Sequence, residues 1–420
     1  MTRLGAEREL TGWGGRRAPG RERLSEDLAA ITSDVPLTRG LGRSYGDSAL
    51  PPPGATEVAG ARLADRILEL DLAAPRLRAE AGLALRDLVW MLLPRGLFPP
   101  VTPGTQFVTL GGMVAADVHG KNHHVAGTVG RHIERLVLRV ASGEVVACSR
   151  ERHPDLFRAT LGGMGLTGHI LEVDLRLERV PSPWILAETE RFPDLDTLLQ
   201  AMAAAAKGWP FTMAWIDCLQ RGASLGRGVL YRGRWATAKE APAAPPRPRP
   251  GPTVPVSMPA FVLSTPAVKA FNELVFRSNP RRARRRVESP EKFFYPLDRI
   301  RHWNRIYGRR GFTQFQCVLP EGEHPGAVRR FLEVAARRGG STFLCVLKDC
   351  GEEGEGVLSF PRPGVSVALD LPMRSGTAET VDALAEATLA EGGRIYLAKD
   401  SLVRPERFRA MEPRLTEFDR

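Results

Sequence analysis

The sequence predicts an α+β protein of two domains. Its 420 residues exceed what a single hydrophobic core usually supports, so two domains are expected. The first half alternates short apolar runs with glycine-rich loops, whereas the second half repeats a unit of one strand followed by one helix. These strand–helix units indicate an antiparallel sheet that is backed by helices.

Apolar spacing and turn residues mark the elements of the first half. Two apolar runs, 67–72 and 77–81, lie on either side of a proline-containing turn and predict a pair of strands. Apolar residues at helical spacing predict a helix over 85–92 that stops at Pro94. Residues 133–149 predict a hairpin that turns at a Ser-Gly pair.

The second half has two strand–helix units and one irregular region. The strands are predicted at 311–320 and 364–373, where polar and apolar residues alternate. Between the domains' regular parts, Lys239 to Pro259 is too rich in proline for a helix or an inner strand. The arginine run at 281–289 is typical of a solvated loop, so we expect a mobile region over about 235–290.

Composition narrows the class of protein and its ligands. Hydrophobic residues make up 43% and charged residues 25%, as in ordinary globular proteins. The five scattered cysteines fit no zinc pattern and favour reduced thiols in a cytoplasmic setting. No apolar run approaches the roughly 20 residues that span a bilayer, so membrane association would be peripheral, at the inner face. The chain stops soon after a helix, which predicts that a short segment follows Arg420.

The net charge of +11 has three competing explanations: nucleic acid, an anionic membrane surface, or an anionic ligand. No nucleic-acid-binding module accompanies the basic residues, so nucleic acid ranks last.

Two glycine-rich segments lie in the first 130 residues. The stretch "TRGLGRSYGDSAL" (38–50) has neither the spacing of a dinucleotide fingerprint nor that of a P-loop. A second stretch, 104–120, is equally rich in glycine. Each alone is compatible with a turn between strands. Together they favour a dinucleotide cofactor, because glycine lets backbone N–H groups approach a diphosphate closely.

The segment "HGKNHH" (119–124) holds three of the chain's eight histidines together with a lysine. Three interpretations are open: a metal site, acid–base chemistry or an anion clamp beside the glycine loop, and a polar loop with capping histidines. A metal is disfavoured because Asp117 is the only carboxylate nearby and no cysteine is close. We therefore predict no metal.

Five motifs carry a resemblance to a known family. The segments "RGLGRSYGDSAL", "VTPGTQFVTLGGMVAADVHGKNHH", "LGGMGLTGHI", "FFYPLDRIRHWNRIYGRRGFTQFQCVLP" and "YLAKDS" occur in this order. Together they resemble the vanillyl-alcohol-oxidase type of FAD enzymes, from about Leu10 onward. The resemblance implies a PCMH-type FAD-binding domain over 1–180 and an antiparallel-sheet substrate domain over 181–394. It also implies that 395–420 returns to the FAD domain.

The resemblance implies a large set of FAD-binding residues, taken from both glycine loops and two later positions. They are Thr38, Arg39, Gly40, Leu41, Gly42, Arg43, Ser44, Tyr45, Gly46, Asp47, Ser48, Gly104, Thr109, Leu110, Gly111, Gly112, Ala116, Asp117, Val118, His119, Ile170 and Tyr396. Many relatives have a flavin-linking histidine in a "GHS" tripeptide, where this chain has Gly42-Arg43-Ser44. A non-covalent FAD is therefore expected.

The same resemblance implies catalytic and substrate-binding residues. Lys399 and His119 are the expected catalytic pair, and which of them takes the substrate proton stays open. The expected substrate-binding residues are Lys121, Trp215, Gln316, Lys348, Ser366 and Lys399. Ser366 replaces an asparagine and Ala368 replaces a cysteine found in some relatives, so substrate contacts are expected to differ more than flavin contacts.

The motifs are most similar to those of family members that act on a lipid-linked pentose. They imply oxidation of the 2-hydroxyl of a polyprenylphosphoryl-β-D-ribose, the first half of epimerisation to the arabinose form used in cell-wall arabinan. An NAD(P)H-dependent short-chain reductase would be the partner that completes it. Two alternatives stay open: an alditol or sugar-lactone oxidase on a soluble substrate, and a non-catalytic flavin- or membrane-binding protein.

Overall fold

Two groups of strands organise the chain. A computed structural model describes residues 3–4, 8–339 and 342–420. The strands of the first group are β1 (Arg3–Leu4), β2 (Arg8–Thr11), β3 (Arg17–Leu24), β4 (Thr38–Arg39), β5 (Glu57–Gly60), β6 (Ile67–Asp71), β7 (Arg76–Glu80), β8 (Leu97–Phe98), β9 (Ile133–Arg139), β10 (Val145–Ser149), β11 (His169–Arg176) and β12 (Glu178–Arg179). Those of the second are β13 (Ile185–Phe192), β14 (Phe211–Ile216), β15 (Gly228–Trp235), β16 (Arg284–Glu288), β17 (Phe312–Leu319), β18 (Cys345–Cys350), β19 (Gly364–Pro372) and β20 (Arg394–Ile395).

Helices are distributed through both groups and range from one turn to four. They are α1 (Leu28–Ile31), α2 (Leu85–Leu92), α3 (Leu110–Ala115), α4 (His123–Ala126), α5 (Pro154–Thr160), α6 (Leu195–Ala206), α7 (Thr265–Ser278), α8 (Pro290–Phe294), α9 (Ala327–Arg338), α10 (Thr377–Ala390), α11 (Pro405–Met411) and α12 (Leu415–Phe418). Helices and largely antiparallel sheets in one chain confirm the predicted α+β class.

The first group forms two main sheets. One has the order β1-β3-β5-β4, with β2 beside β3, and is parallel only where β5 pairs with its neighbours. The other has the order β10-β9-β11-β7-β6 and is antiparallel throughout. The predicted strand pair and hairpin are confirmed as β6–β7 and β9–β10, and Gly143, with φ +87°, makes the hairpin turn.

Helix α2 packs on this part of the chain through the apolar residues that predict it. Leu85, Leu88, Val89 and Leu92 are all buried in a core shared with β7, β9 and β11. The chain leaves the helix at Gly96, whose φ of +69° is a left-handed conformation that glycine adopts at low cost. The bounds of α2 therefore agree with the prediction from the spacing of its apolar residues.

The second group forms one eight-stranded sheet of order β16-β13-β15-β14-β18-β19-β17-β20, whose pairings are antiparallel. Helices α6, α9 and α10 bury apolar residues against one face of it. The two predicted strand–helix units are confirmed as β17–α9 and β19–α10. The opposite face of this sheet is left to line the functional site.

One local prediction is wrong. The arginine run is not a solvated loop at Arg284–Arg286, because these residues begin β16 and pair with β13 at the sheet edge. Arg285 Nε lies 2.6 Å from Glu188 Oε2, so an ion pair helps to hold the strand. Residues 265–278 within the same region form helix α7, whereas 236–259 have no helix or strand, as expected for the proline-rich segment.

Candidate functional site

A cavity of about 1260 Å³ lies between the glycine loops of the first group of strands and the open face of the eight-stranded sheet. Single small-ligand pockets usually measure about 300–1,000 Å³. The residues that line it range from Trp13 to Lys399, so segments from most parts of the chain contribute to its walls. The cavity has room for a large cofactor together with a second ligand.

The first glycine loop follows β4 and is closed at its base by Arg39. The guanidinium of Arg39 donates to the carbonyl oxygens of Thr11 at 2.8 Å and Ala49 at 2.6 Å. Gly42 has φ +62°, and a Cβ there would collide with this guanidinium. A Cβ at Gly40 would lie 2.5 Å from Thr109 Oγ1. Glycine is thus required for the loop's shape and for its contact with the second loop.

Arg43 extends from this loop between two aromatic rings. Its guanidinium carbon is 4.0 Å from the ring centroid of Trp13 and 5.0 Å from that of Phe107, in cation–π contact. Burial lowers the pKa of Arg43, and the Asp298 carboxylate opposes this. Among the described residues its buried Nε has no hydrogen-bond partner. A buried donor of this kind fits an anionic ligand such as a phosphate.

The predicted cofactor residues fall into two sets. Most line the cavity: Thr38, Gly40, Leu41, Gly42, Arg43, Ser44, Tyr45, Ser48, Gly104, Thr109, Gly111, Gly112, Ala116, Val118, His119, Ile170 and Tyr396. Five do not: Arg39, Gly46, Asp47, Leu110 and Asp117.

Each of the five has a structural place behind the wall. Arg39 closes the loop, and Gly46 packs on the backbone of residues 400–401. Leu110 belongs to the core that α2 shares with β7, β9 and β11. Asp47 is exposed, with its carboxylate 3.3 Å from Arg16. Asp117 is fully buried and accepts hydrogen bonds from the Gly130 N–H at 2.8 Å and from the Ser359 hydroxyl.

His119 is held by the predicted substrate residues of the sheet. The amide Nε2 of Gln316 donates to His119 Nε2 at 3.0 Å and to Ser366 Oγ at 3.0 Å. With this amide orientation, the neutral imidazole carries its proton on Nδ1, which has no partner among the described residues. Burial, followed by the charge of Lys348, lowers the pKa of His119 well below 6.5. Ser366 therefore supports Gln316 and does not itself line the cavity.

Three lysines line the cavity close to His119. Burial and the neighbouring charge of Lys348 lower the pKa of both Lys121 and Lys399 to about 7. Burial also lowers the pKa of Lys348. Lys121 Nζ donates to the Phe293 carbonyl, whereas Lys399 Nζ lies 4.0 Å from the ring centroid of Tyr45. Cations gathered in one cavity, with pKa values lowered chiefly by burial, mark a site for an anion.

Trp215 serves both as core and as wall. Its ring lines the cavity, it is buried, and its Nε1–H donates to the Phe343 carbonyl at 2.9 Å.

The other histidines of "HGKNHH" hold neighbouring segments together. His123 Nδ1 accepts from the Gly351 N–H at 3.0 Å, and His124 Nε2 donates to the Trp209 carbonyl at 3.0 Å.

Asp370 is a site residue that the sequence analysis missed. It is fully buried on β19, accepts from Tyr307 Oη at 2.6 Å and from Gln314 Nε2 at 2.5 Å, and acts electrostatically on Lys399. Burial raises the pKa of Asp370 to about 6. The alternation of side chains along β19 is the sequence feature that indicates this role. Asp370 lies two residues after Ala368, which lines the cavity, so the two side chains share one face of the strand.

The arrangement fits a dinucleotide such as FAD. Open backbone at Gly104, an unpartnered Arg43 Nε and an unpartnered His119 Nδ1 all lie in the wall of one cavity. Such donors match the diphosphate and the polar edge of a flavin, while the buried apolar wall suits its ring.

Comparison with known proteins identifies the same class of cofactor. Residues 28–149 match the model of a family described as an FAD binding domain. This region contains both glycine loops and "HGKNHH". FAD is therefore the cofactor, as predicted.

Two relatives match most of the chain. Decaprenylphosphoryl-beta-D-ribose oxidase of Mycolicibacterium smegmatis is 36% identical over 399 residues, which are 91% of this chain and 84% of the relative. An uncharacterized protein in the mprA 5' region of Streptomyces coelicolor is 35% identical over 352 residues, 80% of this chain and 94% of the relative. L-gulonolactone oxidase of Mus musculus is 32% identical over 114 residues only, 27% of this chain and 25% of the relative.

Within the described ranges, the helices are all too short or too polar to cross a lipid bilayer.

Proposed function

Because the chain belongs to the FAD-dependent oxidoreductase family of decaprenylphosphoryl-β-D-ribose oxidase, we propose that it oxidises the 2-hydroxyl of a polyprenylphosphoryl-β-D-ribose to the 2-keto sugar. The observation that carries this proposal is the meeting of three lysines and His119 in a cavity large enough for both FAD and a second ligand. A phosphate-linked sugar supplies the anion that such a site requires. Bound FAD would supply the acceptor for the substrate's hydride.

In this proposal the residues of the chain divide the remaining work. Arg43 and the glycine loops hold the diphosphate of FAD, and Lys121 with Lys348 binds the polar groups of the substrate. Lys399 takes the hydroxyl proton at Nζ, because a pKa of about 7 leaves a large fraction of the amine neutral at physiological pH. His119 offers its Nδ1–H as a hydrogen-bond donor, since its Nε2 is occupied by Gln316.

Substrate class is tested by adding candidate alcohols to the FAD-loaded protein without oxygen and following the flavin absorbance. We expect bleaching by a polyprenylphosphoryl-β-D-ribose and much slower bleaching by free alditols and sugar lactones. The matched control is the 2-deoxy form of the lipid-linked sugar, which lacks the reacting hydroxyl. Bleaching by the soluble alcohols alone would favour the alditol-oxidase alternative.

We further propose that FAD is held without a covalent bond, because Arg43 occupies the position of the flavin-linking histidine of other relatives. Acid precipitation should leave a colourless pellet and a yellow supernatant that contains intact FAD. Flavin that stays with the precipitated protein would contradict the assignment. The measurement is the absorbance of the two fractions, with protein unfolded in guanidinium and filtered as the matched control.

The wider setting belongs to the same proposal. The 2-keto product retains its lipid phosphate, so a reductase of the NAD(P)H-dependent short-chain class would return hydride and complete the epimerisation.

Residues 1–180, 181–394 and 395–420 remain the predicted domain boundaries. The last segment joins the sheet at β20 and then reaches the first glycine loop, where the Tyr45 N–H donates to the Ala398 carbonyl at 3.1 Å. Peripheral association with the inner face of a membrane would bring the enzyme to its lipid.

A further inference from the structure

The positive charge of the chain is concentrated in one segment. Residues 256–310 contain 13 Lys and Arg against four Asp and Glu, a net charge of +9 out of +11 for the whole chain. The four acidic groups are already engaged: Glu273 with Arg227, Glu288 with Lys292, Glu291 with the Arg249 N–H, and Asp298 with Thr105. The basic side chains therefore give this segment a positive field toward the solvent.

The same segment exposes large apolar side chains. Phe261, Leu274 and Val256 are 71%, 68% and 64% exposed, and Phe271 and Ile300 are also exposed. Val256 lies between two residues that bond to the 301–305 stretch, because the Val254 and Met258 N–H groups donate to the carbonyls of Arg301 and Arg305. We call Val256, Phe261, Phe271, Leu274 and Ile300 the apolar rim. Single exposed apolar residues are ordinary, whereas a group of them marks a contact surface.

Helix α7 presents its part of the rim from a firm base. The buried Asn272 donates from Nδ2 to Asp217 Oδ1 at 2.8 Å, and Glu273 lies 2.6 Å from Arg227. Phe271 and Leu274, three residues apart on the outer face, stay toward solvent. The exposed apolar face is thus a fixed feature of the fold.

The rim borders the mouth of the functional cavity. Phe261, Phe271 and Ile300 line the cavity as well as being exposed, so its apolar wall continues onto the surface. These three side chains give a hydrocarbon chain apolar contacts that lead from the surface into the cavity.

We propose that the apolar rim inserts into the surface of an anionic lipid bilayer, with the basic residues of 256–310 binding the lipid headgroups, and that lipid-linked substrate enters the cavity there. The occupant follows from charge complementarity, since basic side chains near an anionic membrane are attracted to its lipid headgroups. Apolar residues surrounded by Lys and Arg have the composition of interfacial membrane-binding surfaces. The entry route rests on the proposed function, whereas membrane binding itself does not.

The test is binding of the FAD-loaded full chain to phosphatidylcholine vesicles with and without phosphatidylglycerol, measured by co-sedimentation. The variants are Leu274→Ser with Val256→Ser, and Arg281→Ser with Arg282→Ser, none of which lines the cavity. We expect binding to need phosphatidylglycerol, to weaken as salt is added, and to fall about tenfold or more in each double variant. Leu72→Ser, and Arg337→Ser with Arg338→Ser, alter exposed residues elsewhere and should bind like the unaltered chain.

Activity separates this inference from the proposed function. A short-chain, water-soluble prenylphosphoryl ribose should reduce the flavin equally well in all variants when no vesicles are present. Failure of any such substrate to reduce the flavin would defeat the proposed function and leave the vesicle result standing. Vesicle binding that is unchanged in the rim variants would overturn the inference. Self-association that the rim variants abolish, without vesicle binding, would overturn it in favour of a protein interface.

Discussion

Replacing Lys399 by methionine should slow reduction of the bound flavin by at least about 100-fold, because a positioned acid–base group contributes about 10²–10⁴-fold. Methionine keeps most of the apolar volume of the lysine stem and removes only the amine. FAD binding should persist, since the Arg43 guanidinium and the backbone N–H groups of the glycine loops are unchanged when the lysine amine is removed. Stopped-flow absorbance with saturating substrate measures the rate, and the visible spectrum reports the bound flavin.

The pH profile distinguishes a proton acceptor from a structural lysine. The rate should rise with pH through a midpoint near the Lys399 pKa of about 7, because only the neutral amine accepts a proton. The Asp370 carboxylate raises the pKa of Lys399 electrostatically, so Asp370→Asn should move the midpoint to lower pH. Lys239→Met alters an exposed lysine and is the matched control. An unchanged rate in Lys399→Met would remove the catalytic assignment.

Replacing Gly46 by alanine should destabilise the protein by about 3 kcal/mol or more, at the upper end of the cost of overpacking. A Cβ at this position would overlap the carbonyl oxygen of Asp400 and lie 2.9 Å from its carbonyl carbon. Neither backbone can yield easily, because the Ser44 carbonyl accepts from the Trp13 N–H at 2.9 Å and the Tyr45 N–H donates to Ala398. The displaced segment carries Lys399, so activity should fall with stability.

Urea unfolding followed by circular dichroism measures this effect. Gly208→Ala is the matched control, because a Cβ there meets no atom within 4 Å and its backbone is not left-handed. A Gly46→Ala protein with the same midpoint and activity as the control would show that the two segments do not pack as closely as described.

Local elements of the fold could be predicted where one chemical pattern dominates. The apolar stripe of α2 and the Ser-Gly turn between β9 and β10 are such cases. The spacing of apolar residues that predicts a helix and the residue types that predict a turn both involve only neighbouring positions in the sequence. The strand at Arg284–Arg286 could not be predicted in this way. Its stability comes from pairing with β13 and from Glu188, a partner about 100 residues distant, so local charge density pointed to a loop.

The candidate site shows the same division between local and distant information. The two glycine loops predict a ligand that the backbone must approach closely, and residues of both loops line the cavity. The family resemblance implies Asp117 and Leu110 as cofactor residues; both are buried, and neither lines the cavity. Asp370 was missed because its role depends on Tyr307 and Gln314, which only the folded sheet brings next to Lys399.

The burial of all five cysteines makes the thiols reporters of unfolding. Cys148 belongs to the core that α2 shares with β7, β9 and β11. Three thiols lie in the core between the eight-stranded sheet and its helices: Cys218, Cys317 and Cys345. Cys350 lies in the small cluster around Tyr396. An alkylating reagent can reach each thiol only when its own core opens. The order in which peptides become labelled would therefore reveal which part of the molecule opens first, with no introduced probe.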